Sequence, residues 1–304
     1  MTRETVRVAV IQAASVLFDR ERSVEKACRL VGEVDGADLM LLPEAFIPAY
    51  PRGLGFGTIV GGRSPAGRVL WQRYWDNAVD VPGPVTEALG EAARAAGSML
   101  AVGVVERDGG TLYCTVLYIG RDGSLLAKHR KLKPTAAERL VWGEGDGSTL
   151  AVVDDGFGRV GGLICWENYM PLARMAIYRK GVELYLAPTA DGRDSWQATL
   201  RHIACEGRCF VLGCNQYVTP GDYPEHLTRL DSCWDPARAT TEGGSAIVSP
   251  YGDVLAGPLY GREGVLTAEL DLAEIVRAKL DLDVVGHYAR PDVFSLTVDE
   301  TGRR

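Results

Sequence analysis

Gly161-Gly162-Leu163-Ile164-Cys165-Trp166-Glu167-Asn168-Tyr169-Met170-Pro171 is the stretch on which the fold turns. The residues leading into it, Arg159 to Ile164, are mostly small and apolar, as a buried strand requires. Those after it, Leu172 to Lys180, carry apolar residues at helical spacing, and Pro171 suits an early helical position. Cys165 is therefore predicted where a strand leaves the core, near the start of a helix. A thiol at such a turn can be held as thiolate, and nearby backbone N–H groups can meet a developing negative charge. The competing reading is an inert core cysteine, since free Cys is among the most buried residue types.

Composition sets the frame around this turn. The chain has 304 residues, 46% hydrophobic and 24% charged, as in an ordinary soluble globular protein. Its net charge of −7 argues against general nucleic-acid binding. No apolar run is long enough to span a membrane, and Met1-Thr2-Arg3-Glu4-Thr5 lacks a signal-peptide pattern. Seven cysteines without framework spacing suit a reducing cytoplasm. No Ser/Gly linker divides residues 1–304, which read as one domain.

Working outward, strands are predicted over Val6–Ile11, Asp38–Leu42, Met99–Glu106, Thr111–Ile119, Val182–Ala187, Phe210–Asn215, Ser245–Ser249 and Val265–Leu270. Helices are predicted over Arg22–Val34, Val69–Val79, Val85–Ala96, Ser195–Cys209 and Ala273–Lys279. Strands and helices alternate through both halves, which gives an α/β layered fold. Pro48–Arg68 and Pro220–Glu242 read as long loops, and Gly286–Asp292 as extended. Three features carry chemistry. Glu44 follows a buried strand, where a carboxylate is costly unless paired or working. Lys131 lies in the basic run Lys128-His129-Arg130-Lys131-Leu132-Lys133, which otherwise reads as a solvated face or anion patch. Cys165 is the third. A base, a cation and a nucleophile are what acyl transfer at carbon needs. Gly143-Glu144-Gly145-Asp146-Gly147-Ser148 lacks the ending of a phosphate loop. Cys205, Cys209 and Cys214 read as small core residues rather than metal ligands.

Six segments in order resemble the nitrilase branch of the carbon–nitrogen hydrolase superfamily. They are Leu42-Pro43-Glu44-Ala45-Phe46, His129 to Thr135, Glu138 to Gly147, Cys165 to Pro171, Ala187 to Asp191 and His287 to Asp292. The resemblance implies an αββα sandwich, two of which pack into a longer four-layer αββα–αββα unit. It implies a Glu–Lys–Cys triad of Glu44, Lys131 and Cys165, with Glu138 as auxiliary carboxylate and with no metal or organic cofactor. The implied reaction is hydrolysis of a small-molecule nitrile to acid and ammonia through a cysteine thioimidate and thioester. An amidase or carbamoylase would use the same triad, and a nitrile or cyanide hydratase would stop at the amide. Tyr50, Trp142, Trp166 and Tyr169 are candidate walls of a substrate pocket. A homodimer is expected, joined through Leu172–Lys180 and Ser195–Cys209. Both segments look apolar on more than one face: Leu172, Met175, Ala176, Ile177 and Tyr178 in one, Trp196, Leu200, Ile203 and Ala204 in the other. The two long loops are expected to join dimers into larger oligomers or spirals.

Overall fold

The computed structural model describes residues 5–232 and 234–302. Cys233 and the lead-in at residues 1–4 lie outside the described residues. The first half runs β1 (Thr5–Gln12), α1 (Arg20–Gly32), β2 (Leu39–Leu41) and a small hairpin of β3 (Thr58–Ile59) and β4 (Gly62–Arg63). It continues with α2 (Pro65–Asp76), α3 (Pro84–Ala96), β5 (Met99–Asp108), β6 (Thr111–Ile119) and β7 (Leu125–Arg130). The second half has β8 (Val152–Asp154), β9 (Arg159–Gly162), α4 (Pro171–Arg179), β10 (Leu184–Thr189), α5 (Asp194–Gly207) and β11 (Phe210–Asn215). It closes with β12 (Tyr217–Val218), α6 (Glu225–Thr228), β13 (Thr241–Val248), β14 (Val254–Tyr260), β15 (Gly264–Asp271) and α7 (Ala273–Ala278).

The strands form two large sheets, ordered β15-β1-β2-β5-β6-β7 and β12-β13-β11-β10-β9-β8, with β14 beside β13. Side-chain alternation sorts each central strand between two cores. Val6, Val8 and Val10 of β1, with Leu39 and Leu41 of β2, share a core with Leu184 and Leu186 of β10 and Leu212 of β11. That core lies between the sheets. Ala9, Ile11 and Met40 face the other way, onto Ala27 and Val31 of α1 and Leu89 and Ala93 of α3. Tyr185, Ala187 and Val211 face α4 and α5. The order of layers is helix, sheet, sheet, helix: the expected αββα sandwich. No helix among the described residues is long and apolar enough to cross a membrane.

Several expectations need correction. The loop predicted over Pro48–Arg68 contains the β3–β4 hairpin and the start of α2, whose first turn is capped by Ser64 Oγ accepting from Gly67 N at 3.0 Å. β8 and β14 were not anticipated. Gly286–Asp292 turns back on itself, with Tyr288 N donating to Asp283 O and Ala289 N to Gly286 O. A 3-10 turn, Cys165–Tyr169, separates β9 from α4. Trp196, Leu200, Ile203 and Ala204 of α5 are all buried against their own sheet, so that helix is apolar on one face only. Cys205 borders Tyr251 O, whereas Cys214 lies between the sheets against Ile11 O and Leu41 O. The cysteine trio does not converge.

Candidate active site

The ends of β2, β7, β9 and β10 open at one edge of the sandwich, where open α/β sheets place ligands. Glu44 follows β2, Lys131 follows β7, Cys165 follows β9, and Thr189 ends β10. Close approach of backbones makes this possible. A Cβ on Gly103 of β5 would lie 2.2 Å from Pro43 O and 2.5 Å from Ala45 N, so glycine lets the Glu44 turn settle on that strand. A Cβ on Gly162 would stand 1.9 Å from Leu186 O, directly before the cysteine turn. Ala45, Ala136 and Cys165 all have left-handed backbones, with φ of 48°, 47° and 52°. Each costs about 1–3 kcal/mol and persists only where its surroundings over-determine it. Here they aim Glu44, Glu138 and the thiol.

Lys131 Nζ donates to Glu44 Oε1 and to Glu138 Oε2, each at 2.8 Å. Lys131 is 1% exposed and Glu44 wholly buried. Such burial is tolerable because each charge meets its opposite and further donors. Glu138 also accepts from Tyr50 OH at 2.7 Å and from Thr135 N at 2.6 Å. Cys114 Sγ donates to Glu44 Oε1 at 3.6 Å. Glu44 Oε2 is buried with no hydrogen-bond partner among the described residues, and the Cys165 thiol is one of the groups acting on this carboxyl. Thr189 Oγ1 donates to Cys165 Sγ at 3.1 Å and accepts from Asp191 N at 2.9 Å.

Charge follows from this packing. Burial, with the charge of Glu44, pushes the Cys165 thiol up to about 12. That direction favours the neutral thiol at rest over the thiolate that such a turn could hold. Burial also raises the Glu44 carboxyl; the Lys131 ammonium opposes that rise and the Glu138 charge adds to it. Burial works against the Lys131 ammonium, but Glu44, Cys165 and Glu138 outweigh it and hold its pKa well above the usual lysine value. A protonated lysine, a carboxylate base and a thiol brought together are the groups that nucleophilic attack on an electrophilic carbon needs.

The rest of the basic run is paired with carboxylates rather than simply solvated. Lys128 and Arg130 both reach buried Glu106, at 2.5 and 2.6 Å, while Lys133 pairs with Glu144 at the surface. His129, on the alternate face, is buried against Glu167. A cavity of about 470 Å³ leads to Glu138 and is walled by Tyr50, Arg52, Leu54, Trp142, Arg238 and Thr240, among others. Tyr50 and Trp142 meet edge to face at 5.5 Å in this lining. Trp166 and Tyr169 lie outside these walls. The Trp166 indole donates to Asp191 Oδ2 at 2.7 Å beneath the Arg193 guanidinium, and Tyr169 OH bonds Thr199 Oγ1 on α5 at 2.8 Å. Sequence reasoning missed Arg52, whose guanidinium donates to Ala190 O, and Thr189. The ending of a buried strand at Thr189 was the available signal for the latter.

One pH effect follows if Glu44 must be ionised to act. The acid limb of kcat/KM then tracks the raised Glu44 pKa, activity falling as pH drops through it. Because the Glu138 charge contributes to that rise, Glu138→Gln is expected to move the limb to lower pH. A pH profile of the variant with an unmoved or higher limb would contradict the coupling.

A family profile described as Carbon-nitrogen hydrolase matches residues 7–280. The chain is 55% identical over 297 residues to a protein of Sinorhizobium fredii (strain HH103) named aliphatic nitrilase, covering 97% of this chain and 96% of that one. It is 51% identical over 299 residues to the bifunctional nitrilase/nitrile hydratase NIT4B of Nicotiana tabacum, covering 97% and 86%. Nitrilase 2 of Arabidopsis thaliana is 48% identical over 301 residues, covering 97% and 89%. Among solved structures, the C. elegans NitFhit protein superposes with a TM-score of 0.75 at 21% identity, covering 100% of this chain and 69% of that one. XC1258 from Xanthomonas campestris, a CN-hydrolase superfamily protein, gives 0.73 at 18% identity, covering 98% and 100%. At these identities the structural likeness speaks for the fold.

Proposed function

The chain belongs to the carbon–nitrogen hydrolase family, and from that premise we propose that the buried Glu–Lys–Cys cluster is the working centre of a nitrilase. The protein is a hydrolase of carbon–nitrogen bonds that converts an organic nitrile to the carboxylic acid and ammonia. The observation that supports the roles is Lys131 held between two carboxylates with the Cys165 thiol alongside.

In the proposed sequence, Cys165 sulfur bonds to the nitrile carbon while its proton passes to Glu44 Oε2. The charge developing on nitrogen meets the Lys131 ammonium and the N–H of Trp166, at the first turn of the 3-10 helix where N–H groups lack helical acceptors. Glu44 returns its proton to nitrogen, leaving a thioimidate. Water adds, ammonia leaves and a thioester remains. A second water, activated by Glu44 with Glu138 in support, releases the acid and regenerates the thiol. If the tetrahedral intermediate expels sulfur before ammonia, the product is the amide. The relatives named as bifunctional make that split worth measuring. An ammonia-release screen over aliphatic, aromatic and arylaliphatic nitriles, with the matching amides, tests the reading. The aliphatic set comes first, given the name of one close relative. Inert nitriles alongside rapidly hydrolysed amides would replace the nitrilase by an amidase.

We further infer an isologous dimer. Tyr169, Met170 and Leu172 form an exposed apolar strip at the start of α4, with Leu172 70% exposed. Leu172→Glu is expected to halve the mass seen by light scattering, because a charge cannot be buried unpaired in such a contact. A parent already monomeric at low micromolar concentration would refute the dimer. The exposed Ile59 and Val60 at the hairpin tip support contacts between dimers. The six cysteines among the described residues are free, which supports a reducing, cytoplasmic setting.

A further inference from the structure

Glu167 takes no part in the steps above, yet it is buried and its carboxylate is fully engaged. Oε2 accepts from Ile164 N at 2.8 Å, and Oε1 accepts from Leu132 N at 2.7 Å. His129 Nε2 lies 3.0 and 2.9 Å from the two oxygens, and His129 Nδ1 lies 3.0 Å from Thr149 O. Ile164 directly precedes Cys165, and Leu132 directly follows Lys131.

The bond to Ile164 alone would be an ordinary cap of the 3-10 turn, its third residue returning to the cap amide. A cap does not account for Leu132 and His129, which are 35 and 38 residues away in the chain. Nor does the apolar core fix what these bonds fix. Lys131 follows a strand of one sheet and Cys165 a strand of the other. Hydrophobic contact between sheets is non-directional and sets their spacing, not the offset of one loop against another. Directional hydrogen bonds are needed to set lysine against sulfur at the scale catalysis requires.

We propose that Glu167, backed by His129, is a positioning residue that holds the Lys131 and Cys165 turns in register across the two sheets. The pair suits the task. Both oxygens of Glu167 accept amide N–H bonds, and both nitrogens of His129 face oxygen. A glutamine at 167 would turn its NH2 towards one of the amide N–H groups and break the bridge.

The test uses the full chain, Glu167→Gln and His129→Gln, each assayed well below its own melting temperature. One readout is kcat and KM with the best nitrile from the screen. The other is the rate of iodoacetamide alkylation at Cys165, followed on the peptide that contains it. The inference rests on the nitrilase reading for the first readout only. A parent that turns over no nitrile would sink that reading while alkylation still decides this one. For Glu167→Gln, kcat is expected to fall about 100-fold, as for a misplacement near 1 Å, with KM little changed and alkylation several-fold slower. His129→Gln keeps the carboxylate and is expected to show a smaller loss of the same kind. Variants that alkylate and turn over like the parent, and differ only in melting temperature, would overturn the inference. If Glu167→Gln does not fold, His129→Gln decides by the same two readouts.

Discussion

Cys165→Ala is expected to abolish ammonia release, by about 10⁶-fold if the nucleophile acts with its partners as a unit, while leaving the fold intact. The fold survives for local reasons. Cys165 is 5% exposed, and its φ of 52° strains alanine and cysteine alike, because both carry a Cβ. The bonds that hold the turn come from elsewhere: Asn168 Nδ2 donates to Leu163 O and Cys165 O, and Glu167 accepts from Ile164 N. The truncation leaves Thr189 Oγ1 without its sulfur acceptor, although it still accepts from Asp191 N. Cys209→Ala is the internal control. That thiol is buried behind α5, far from the charge cluster in the packing, and its loss should cost about 1 kcal/mol of stability and no activity. Measurement is by ammonia release and circular dichroism on both variants. Clear turnover by a folded Cys165→Ala protein would remove the cysteine from the mechanism.

The parts of this site most legible in sequence end strands with a clear apolar pattern. Glu44 after Leu39–Leu41 and Cys165 after Arg159–Gly162 could be placed at strand ends before any contact was known, whereas Lys131 stood out only within a basic run, its strand Leu125–Arg130 being half polar. What the chain does between strands was less legible. Lys128 and Arg130 looked solvated because their partner, Glu106, comes from another strand, and pairing across β5, β6 and β7 cannot be counted from one sequence. Trp196, Leu200, Ile203 and Ala204 seemed to spread over α5, yet one buried sheet face takes them all. β14 hid because its partner β13 carries register shifts and its residues are mostly exposed, so no alternation survives. Trp166 and Tyr169 have side-chain partners that no sequence pattern announces. The 3-10 turn sends their side chains towards Asp191 and α5.

The second large effect concerns charge. Glu44→Gln and Lys131→Ala are each expected to lower kcat/KM by roughly 2–4 decades, the loss of a general base or of an electrostatic stabiliser. The two differ in what they leave behind. Glutamine at 44 keeps the shape and can still offer an oxygen to Lys131, but it cannot take the proton of a thiol whose pKa stands at about 12. Glu44→Gln should therefore fail at acylation, with no covalent intermediate on mass analysis. Lys131→Ala removes the cation that bonds both Glu44 and Glu138 and leaves their carboxyls side by side. One of them must take a proton, so residual activity should need a higher pH than the parent's. Breaking a buried pair also costs about 3–5 kcal/mol, so the melting temperature must be followed in parallel. Lys133→Ala is the matched control, because its pair with Glu144 is half exposed and worth little. Lys128 is a poorer control, since its loss leaves buried Glu106 with Arg130 as its remaining cation at that carboxylate. A loss at Lys133→Ala equal to that at Lys131→Ala would turn the basic run back into an anion patch. A selective loss at Lys131, with the acid limb moved upward, is the result that a single buried ammonium between two carboxylates requires.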